Sequence, residues 1–470
     1  MEYNLNFNKD NYEIETLTID NKTIIYRSYE NIVYVKNPVD INYQIMNIYV
    51  PKEYYEGKSI GKYNIETAPI FFPNTVGGYM PGKPEKPGKN KFTGDLNAIF
   101  VALLKGYVVA SPGARGRVTQ DENGLYTGKA PACIVDLKAA VRYLRHNSKI
   151  IPGDTEKIIS NGTSAGGALS SLLGATGNSV DYKPYLNEIG AADERDDVFA
   201  ASCYCPITNL DNADMAYEWM FNGINDYKKL KFTQMADFRV ERTWIEGTMN
   251  EEQIKASNDL KALFPSYLNS IEIKKSDGTE LKLDANGEGT FKEYVKSFVI
   301  ESSQKALNSG TDLSKLTWIT IKEGTIIDID FNEYVKFATR MKPTCAFDDL
   351  CLYSPENELF GTETIKAKHF SKFSYENSMV DGSIANLAII KMMNPMNYIG
   401  SDGSTTANYW RIRHGAIDRD TSLAIPVILA TKLKNSKLNV DFALPWGISH
   451  AGDYDLDELF DWIENICASN

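Results

Sequence analysis

A serine flanked by small residues, at a point where a strand gives way to a helix, constrains the fold of this 470-residue chain most strongly. The sequence Gly-Thr-Ser-Ala-Gly occupies residues 162–166, with Ser164 at its centre. An apolar segment at 157–161 predicts a strand before it, and small residues at 168–173 predict a helix after it. Small neighbours allow a turn so tight that the serine hydroxyl projects clear of the sheet. A pattern of five residues is weak evidence by itself, but the predicted strand before it and the predicted helix after it support this turn. Ser164 is therefore a candidate nucleophile.

Apolar runs alternate with helical patterns over much of the chain. Strands are predicted at 68–72 and 106–110, each followed by a loop, and apolar residues at helical spacing predict a helix over 134–144. Strands that alternate with helices indicate a largely parallel sheet covered on both faces, so we predict an α/β fold. The same criteria predict further strands at 23–26, 32–35, 43–50, 198–205, 409–413 and 438–444, and further helices from about 423 and over 456–463.

The middle of the chain has a different texture. Helical segments alternate there with long polar loops, and residues 276–279 (Ser-Asp-Gly-Thr) give a hairpin signal. We therefore expect residues 1–207 and 401–470 to form the catalytic domain, and residues 208–400 to form an inserted cap.

The overall charge argues against some classes of partner. A formal net charge of -12 repels phosphate backbones and anionic lipid, so we expect neither nucleic acid nor a membrane as a partner. The chain shows no signal-peptide pattern and no apolar run long enough to span a bilayer, which predicts a cytoplasmic location. Its six cysteines include no Cys-x-x-Cys pair, and it carries no motif for a metal or an organic cofactor, so we expect reduced thiols and no cofactor.

A serine hydroxyl needs a base to become a nucleophile, and the chain has four histidines. With a serine on such a turn, the acid and then the histidine follow it in the chain, which excludes His146. His369 lies in the predicted cap, and His414 precedes the candidate acids. His450 follows the predicted strand 438–444 in a loop, so it is the predicted base.

Two aspartates, Asp418 and Asp420, follow the predicted strand 409–413 and are candidates for the acid that orients His450. Their positions alone do not separate them. One would face the histidine, and the other would serve another purpose or stand as a loop charge or helix cap.

Ester hydrolysis places negative charge on an oxygen, which backbone N–H groups can stabilise. The predicted donors are Ala165, directly after the serine, and Gly77 or Gly78 in the loop after the strand 68–72. A plain turn is the competing interpretation of the two glycines.

Blocks of sequence in both the predicted sheet and the predicted cap carry a family resemblance: 73–79, 161–168, 215–219, 354–357, 410–415, 418–422, and 450 with 452–456. Over nearly the whole chain, the sequence resembles the bacterial tannases, or tannin acylhydrolases, of the α/β-hydrolase superfamily. The resemblance implies a mainly parallel central sheet flanked by helices and a large cap.

The activity implied by this resemblance is hydrolysis of galloyl ester and depside bonds, with release of gallic acid from a galloyl-enzyme on Ser164. Methyl gallate, gallotannins and catechin gallates would be substrates. The resemblance also implies that Asp418 is the triad acid and that Lys342, Glu356 and Asp420 bind the three galloyl hydroxyls. Carboxylates accept hydrogen bonds from phenols and an ammonium group donates to them. Without the resemblance, Lys342 and Glu356 would be interpreted as surface charges.

Fungal-type tannases place cysteines beside the serine and the histidine, where this chain has Thr163 and Ala451. It therefore resembles the branch without that disulfide. The alternatives are a broader aryl esterase, such as a feruloyl or chlorogenate esterase, a serine peptidase, or a catalytically silent hydrolase fold that binds phenolics. The sequence does not determine the oligomeric state, for which a monomer is one option.

Overall fold

The computed structural model describes residues 2–90, 93–234 and 240–468, and these residues have an α/β architecture. Nine strands form one sheet: in spatial order they are numbers 1, 2, 3, 5, 4, 6, 7, 12 and 13 along the chain. The strands are β1 (Glu13–Ile19), β2 (Lys22–Val33), β3 (Ile45–Pro51), β4 (Pro69–Pro73), β5 (Val108–Pro112), β6 (Asp154–Thr163), β7 (Ala200–Tyr204), β8 (Asp226–Gln234), β9 (Val240–Thr248), β10 (Ile319–Lys322), β11 (Thr325–Ile329), β12 (Tyr409–Arg413) and β13 (Asn439–Ala443).

The sheet is mainly parallel and is flanked by helices, as predicted. The pairs from β5 to β13 in the spatial order are parallel, and β1, β2, β3 and β5 pair antiparallel. The helices are α1 (Ala98–Leu104), α2 (Ala132–His146), α3 (Ala165–Ala175), α4 (Lys183–Glu188), α5 (Leu210–Phe221), α6 (Glu251–Ser270), α7 (Thr290–Asn308), α8 (Phe331–Ala338), α9 (Pro355–Leu359), α10 (Lys372–Glu376), α11 (Leu387–Met392), α12 (Ala424–Asn435) and α13 (Leu456–Ala468).

The central strands are buried along their whole length. Every residue of β4, β5 and β7 is buried, which is why their sequences are continuous apolar runs rather than alternating patterns. Helix α13 packs on this centre, with the Phe460 ring 5.3 Å from the ring of Phe71 in β4. Aromatic and aliphatic side chains thus fix the sheet from which the site loops extend.

Two details of the predicted strands and turns differ in the structure. The strands predicted at 23–26 and 32–35 are a single strand, β2, whose pairing with β3 shifts register between Tyr29 and Ile32. The hairpin signal at 276–279 is a turn closed by one bridge, between Lys274 and Glu280. The strand hairpins between residues 208 and 400 are β8–β9 and β10–β11.

The described residues between β7 and β12 contribute no strand to the nine-stranded sheet. They contain α5, α6 and α7, which agrees with the helical segments predicted for this part of the chain. The assignment of 208–400 as a separate cap domain stays a prediction. Within the described ranges, no helix is both long and apolar enough to cross a membrane.

Candidate active site

Ser164 lies at a sharp turn between β6 and α3. Its backbone has φ 61° and ψ -121°, a conformation that is costly for a residue with a side chain. A Cβ on Gly162 would lie 2.3 Å from the carbonyl oxygen of Gly166, and one on Gly167 would lie 2.5 Å from that of Tyr204. Glycines at these positions therefore permit the close approaches that hold the serine in this conformation.

The side chains of Ser164, His450 and Asp418 form one hydrogen-bonded chain. His450 Nε2 lies 2.9 Å from Ser164 Oγ, and His450 Nδ1 lies 2.8 Å from Asp418 Oδ2. Ser164 follows β6, Asp418 follows β12 and His450 follows β13. The carboxyl ends of these strands meet at one edge of the parallel sheet. The structure thus brings together the three residues predicted as nucleophile, base and acid.

Charge and burial determine the protonation states of Asp418 and His450 in this hydrogen-bonded chain. Burial works to raise the pKa of Asp418, but the charge of His450 and the hydrogen bond that it donates outweigh burial, and the pKa is lowered to about 2. Burial works to lower the pKa of His450, but the facing carboxylates, Asp418 first, raise it well above 6.5. An ionised Asp418 holds a proton on Nδ1, which leaves Nε2 of the neutral ring to accept the serine proton.

A second Ser–His–Asp arrangement occurs away from this site. His369 Nδ1 lies 2.7 Å from Asp348 Oδ1, and its Nε2 lies 2.8 Å from Ser378 Oγ. The ring of His369 is fully buried, and a Cβ on Gly382 would lie 2.9 Å from Nε2. Because a catalytic imidazole must pass a proton to a leaving group, this enclosed ring is better suited to joining the Ser378 loop to Asp348.

The other two histidines are not in contact with the nucleophile. His414 is fully buried 3.7 Å from Asp418, and burial lowers its pKa. His146 is exposed at the end of α2. Of the four histidines, His450 is the one that contacts Ser164, so its role as the base stays a prediction that this geometry fits.

The predicted oxyanion donors lie on two segments beside Ser164. Gly77 and Gly78 are in the loop after β4, and Ala165 is the first residue of α3. In the described part of the chain, none of these three N–H groups donates to a protein acceptor. The side-chain amide of Asn74, which the sequence did not single out, donates to the carbonyl oxygen of Gly166 at 3.1 Å and so joins the two segments.

The three residues predicted to bind galloyl hydroxyls form one charged cluster. Lys342 Nζ lies 2.9 Å from Asp420 Oδ1, and both side chains are 13% exposed. Burial works to lower the pKa of Lys342, but Asp420 and Glu356 raise it. The backbone N–H of Asp420 also donates to Asp418 Oδ1 at 2.9 Å, which joins the cluster to the catalytic chain.

Glu356 is the buried member of this cluster with unused acceptors. It is 5% exposed, and burial raises its pKa although the charge of Lys342 opposes the shift. Among the described residues, no other residue donates a hydrogen bond to its carboxylate. A buried carboxylate without such donors suits a ligand that supplies hydroxyl groups.

Tyr217 holds the cluster in place, a role that the sequence did not reveal. Its hydroxyl accepts the backbone N–H groups of Met341 and Lys342 at 3.2 and 3.0 Å, and donates to the carbonyl oxygen of Arg419 at 2.9 Å. The tyrosine thus fixes the segments that carry Lys342 and Asp420 relative to each other. It belongs to the block 215–219, where family resemblance was the available signal.

Arg117 joins the loop that contains Gly77 and Gly78 to the helix that carries Glu356. Its Nε donates to the carbonyl oxygen of Gly78 at 2.9 Å, and its guanidinium pairs with Glu358, on α9 with Glu356. Its backbone N–H donates to Tyr79 at 2.8 Å. The sequence predicts a loop after the strand 106–110, but nothing in its pattern indicates this connection.

One family model and several solved structures are similar to this chain. A family model described as BD-FAE matches residues 77–256. The crystal structure of Fusobacterium nucleatum tannase is 53% identical, with a TM-score of 0.95, and the match covers 99% of this chain and 100% of that one. Tannase from Lactobacillus plantarum, in an orthorhombic crystal, is 45% identical with a TM-score of 0.95, over 99% of this chain and 100% of that one.

A third similar structure contains a ligand. It is a tannin acyl hydrolase in complex with ethyl gallate, 46% identical, with a TM-score of 0.93 over 98% of this chain and 99% of that one. No curated protein sequence matches this chain.

Proposed function

This chain belongs to the tannases and is a carboxylic ester hydrolase, and we propose that it releases gallic acid from galloyl esters and depsides through Ser164. The proposed substrates are methyl gallate, gallotannins and catechin gallates. A neighbour with ethyl gallate bound supports this class of ligand.

One observation carries the proposal: Asp418 and Asp420 stand on the same loop and serve two adjoining sites. Asp418 accepts the hydrogen bond of His450, and Asp420 pairs with Lys342. The group that orients the base and a group suited to phenolic hydroxyls are therefore separated by a single residue, Arg419. A galloyl ring bound by Asp420 and Lys342 would therefore lie next to the loop that carries Asp418.

The proposed reaction has two steps. Ser164 Oγ attacks the ester carbonyl as His450 Nε2 takes its proton, and Asp418 stabilises the resulting imidazolium. The C–O bond to the alcohol breaks, and His450 gives the proton to the leaving oxygen. Water then attacks the galloyl-enzyme with His450 again as base, which releases gallate and restores Ser164.

Backbone donors would stabilise the charge that develops in both steps. We assign this role to Ala165 and to Gly77 or Gly78, whose N–H groups have no acceptor in the described part of the protein. Arg117 would support them by holding the carbonyl group of Gly78.

The cluster of Lys342, Glu356 and Asp420 would select the galloyl group. Its carboxylates accept hydrogen bonds from the phenolic hydroxyls and its ammonium donates to one of them. An ester without hydroxyls would leave these buried groups unpaired, which is costly, so the site should discriminate against benzoates. We further propose that residues 208–400, which supply Lys342 and Glu356, act as a cap over the catalytic domain.

The test is release of acid from methyl gallate, methyl ferulate and methyl benzoate by the purified protein, measured by chromatography. We expect the kcat/KM for methyl gallate to be at least about 100-fold above that for methyl benzoate. Methyl gallate can form two or more hydrogen bonds with the charged groups of the cluster, and methyl benzoate has no hydroxyl to form them. Equal cleavage of all three esters would contradict a site specific for the galloyl group and would support a broad aryl esterase. No cleavage of any would contradict catalysis and favour a silent phenolic-binding fold.

A further inference from the structure

We propose that the same site binds a soft divalent cation, of the Zn²⁺ or Cd²⁺ type, between Cys205 and His450, and that this cation reversibly blocks the esterase reaction. The inference goes beyond the proposed function, because it concerns inhibition by a ligand that takes no part in ester hydrolysis.

Cys205 lies directly after β7, beside the catalytic chain. Its Sγ is 3.9 Å from His450 Nε2, and Asp418 completes a group whose ligand atoms all lie within 4.8 Å of one another. The backbone N–H of Cys205 donates to Arg413 at 2.6 Å, and its Sγ contacts the carbonyl oxygen of Ala451 at 3.4 Å. These contacts hold the sulfur beside the imidazole instead of leaving it free to turn away.

The separation of sulfur and nitrogen suits a tetrahedral ion. With a metal–sulfur bond of about 2.3 Å and a metal–nitrogen bond of about 2.0 Å, a tetrahedral angle places the two ligand atoms about 3.5 Å apart. The observed 3.9 Å needs only a small closure. Ser164 Oγ, at 2.9 Å from the same nitrogen, can supply a third ligand, and a solvent water molecule can supply a fourth.

The ligand chemistry selects the class of cation. A thiolate and an imidazole favour Zn²⁺ and its heavier relatives over Mg²⁺ or Ca²⁺, which prefer oxygen ligands. The Asp418 carboxylate, 2.8 Å from His450 Nδ1, would fix the ring and increase its basicity as an outer partner of the metal.

Binding and catalysis compete for one lone pair. When the cation binds, Cys205 loses its thiol proton to solvent, and the lone pair of His450 Nε2 forms the bond to the metal. That lone pair is the one that would accept the proton of Ser164, so the serine loses its base. Removal of the metal by a chelator restores the thiol proton and the base, so the block is reversible.

The experiment is a Cd²⁺ titration of the full-length enzyme, followed by methyl gallate hydrolysis and by the ultraviolet absorbance of the cadmium–thiolate bond. We expect one cation per chain, loss of activity in step with the absorbance, and recovery on addition of chelator. Cys205→Ala should raise the Cd²⁺ concentration for half inhibition at least about 100-fold, since loss of an outer partner alone costs 10- to 100-fold in affinity.

Two other cysteines provide controls. Cys203, two residues earlier on β7, is buried with its Sγ 3.3 Å from Ser171 Oγ, so Cys203→Ala should titrate like the unaltered enzyme. Cys351 is the cysteine that is partly exposed, and Cys351→Ser should also leave inhibition unchanged. Inhibition that persists in Cys205→Ala, or disappears in Cys351→Ser, would overturn the proposal.

The absorbance separates this proposal from the esterase assignment. If Cys205→Ala lacks activity or does not fold, a second variant, His450→Ala, tests the site, because it keeps the thiol and loses the imidazole. Its cadmium–thiolate absorbance should appear only at Cd²⁺ concentrations at least about 100-fold higher than in the unaltered enzyme. An equally tight titration in His450→Ala would contradict a site shared with the imidazole. If the enzyme does not cleave methyl gallate, the absorbance titration still decides the metal site.

Discussion

Replacing Glu356 with glutamine should reduce the preference for galloyl esters without damaging the catalytic chain. Glu356 is buried, and Lys342 is the positive charge that acts on it most strongly. Among the described residues, none apart from Glu356 itself donates a hydrogen bond to the carboxylate. In the proposed complex, it accepts a phenolic hydroxyl. Hydrogen bonds to charged groups contribute about 1.5–3 kcal/mol, which corresponds to about 10- to 150-fold in kcat/KM. Because glutamine keeps one acceptor oxygen, we expect the lower end, about 10-fold.

The structure also predicts that this variant folds well. Burial raises the pKa of Glu356 in the folded state, so the carboxyl group favours folding below its unfolded pKa and opposes it as pH rises. At neutral pH, an uncharged glutamine should leave the free energy of unfolding unchanged or increased. Reduced activity together with an undiminished Tm would separate a binding role from simple loss of structure.

The assay is steady-state hydrolysis of methyl gallate and methyl benzoate by the unaltered enzyme and by Glu356→Gln. A matched control is Glu376→Gln, which removes an exposed carboxylate from α10. We expect the gallate rate to fall only in Glu356→Gln and the benzoate rate to stay within about twofold in every variant. An equal fall for both esters would refute the proposed contact, because benzoate has no hydroxyl to lose.

Three further predictions follow from the catalytic chain and its support. Asp418→Asn should lower kcat about 10⁴-fold with little change in KM, since the amide favours the wrong histidine tautomer; a loss below tenfold in rapid-mixing kinetics would contradict this. Because the pKa of His450 is raised well above 6.5 and the base must be neutral, kcat/KM should fall as pH decreases through a midpoint above 6.5; full activity at pH 6 would contradict it. Arg117→Gln should lower kcat for gallate and benzoate alike, by about tenfold, because Gly78 is proposed to act on the ester carbonyl rather than on the ring. Arg117→Lys should partly restore kcat, and a change confined to KM would contradict a positioning role.

The local part of the site could be predicted from the sequence. The glycines around Ser164 are required by backbone contacts within one strand–turn–helix unit, so the pattern and the structure describe the same constraint. The order of serine, acid and histidine along the chain follows from the order of parallel strands, which led to His450. Buried strands such as β4 were found because strands covered on both faces are continuously apolar.

The contacts between segments that are distant in the sequence could not be predicted in the same way. The sequence positions of Asp418 and Asp420 did not distinguish them, because their roles depend on whether His450 or Lys342 faces each carboxylate. Glu356 would have been interpreted as exposed, since burial of a charge depends on neighbours far along the chain. Arg117 was missed for the same reason: its partners lie in two loops that only the folded chain brings together.

The hairpin β8–β9 illustrates a different limit. Several lysines along its first strand gave little of the apolar alternation by which a strand is recognised, whereas a Ser-Asp-Gly-Thr turn elsewhere gave a hairpin signal. In the structure, that turn is closed by a single bridge, and β8 and β9 pair over their whole length. Pairing with a partner strand, rather than local pattern, decided which segment became a hairpin.

Turnover of methyl gallate by Ser164→Ala tests the central claim most directly, with circular dichroism as the check that the protein stays folded. The proposed galloyl-enzyme requires this hydroxyl, so gallate release should fall by at least about 10⁴-fold while the fold is retained. Release within tenfold of the unaltered enzyme would contradict a covalent intermediate on Ser164.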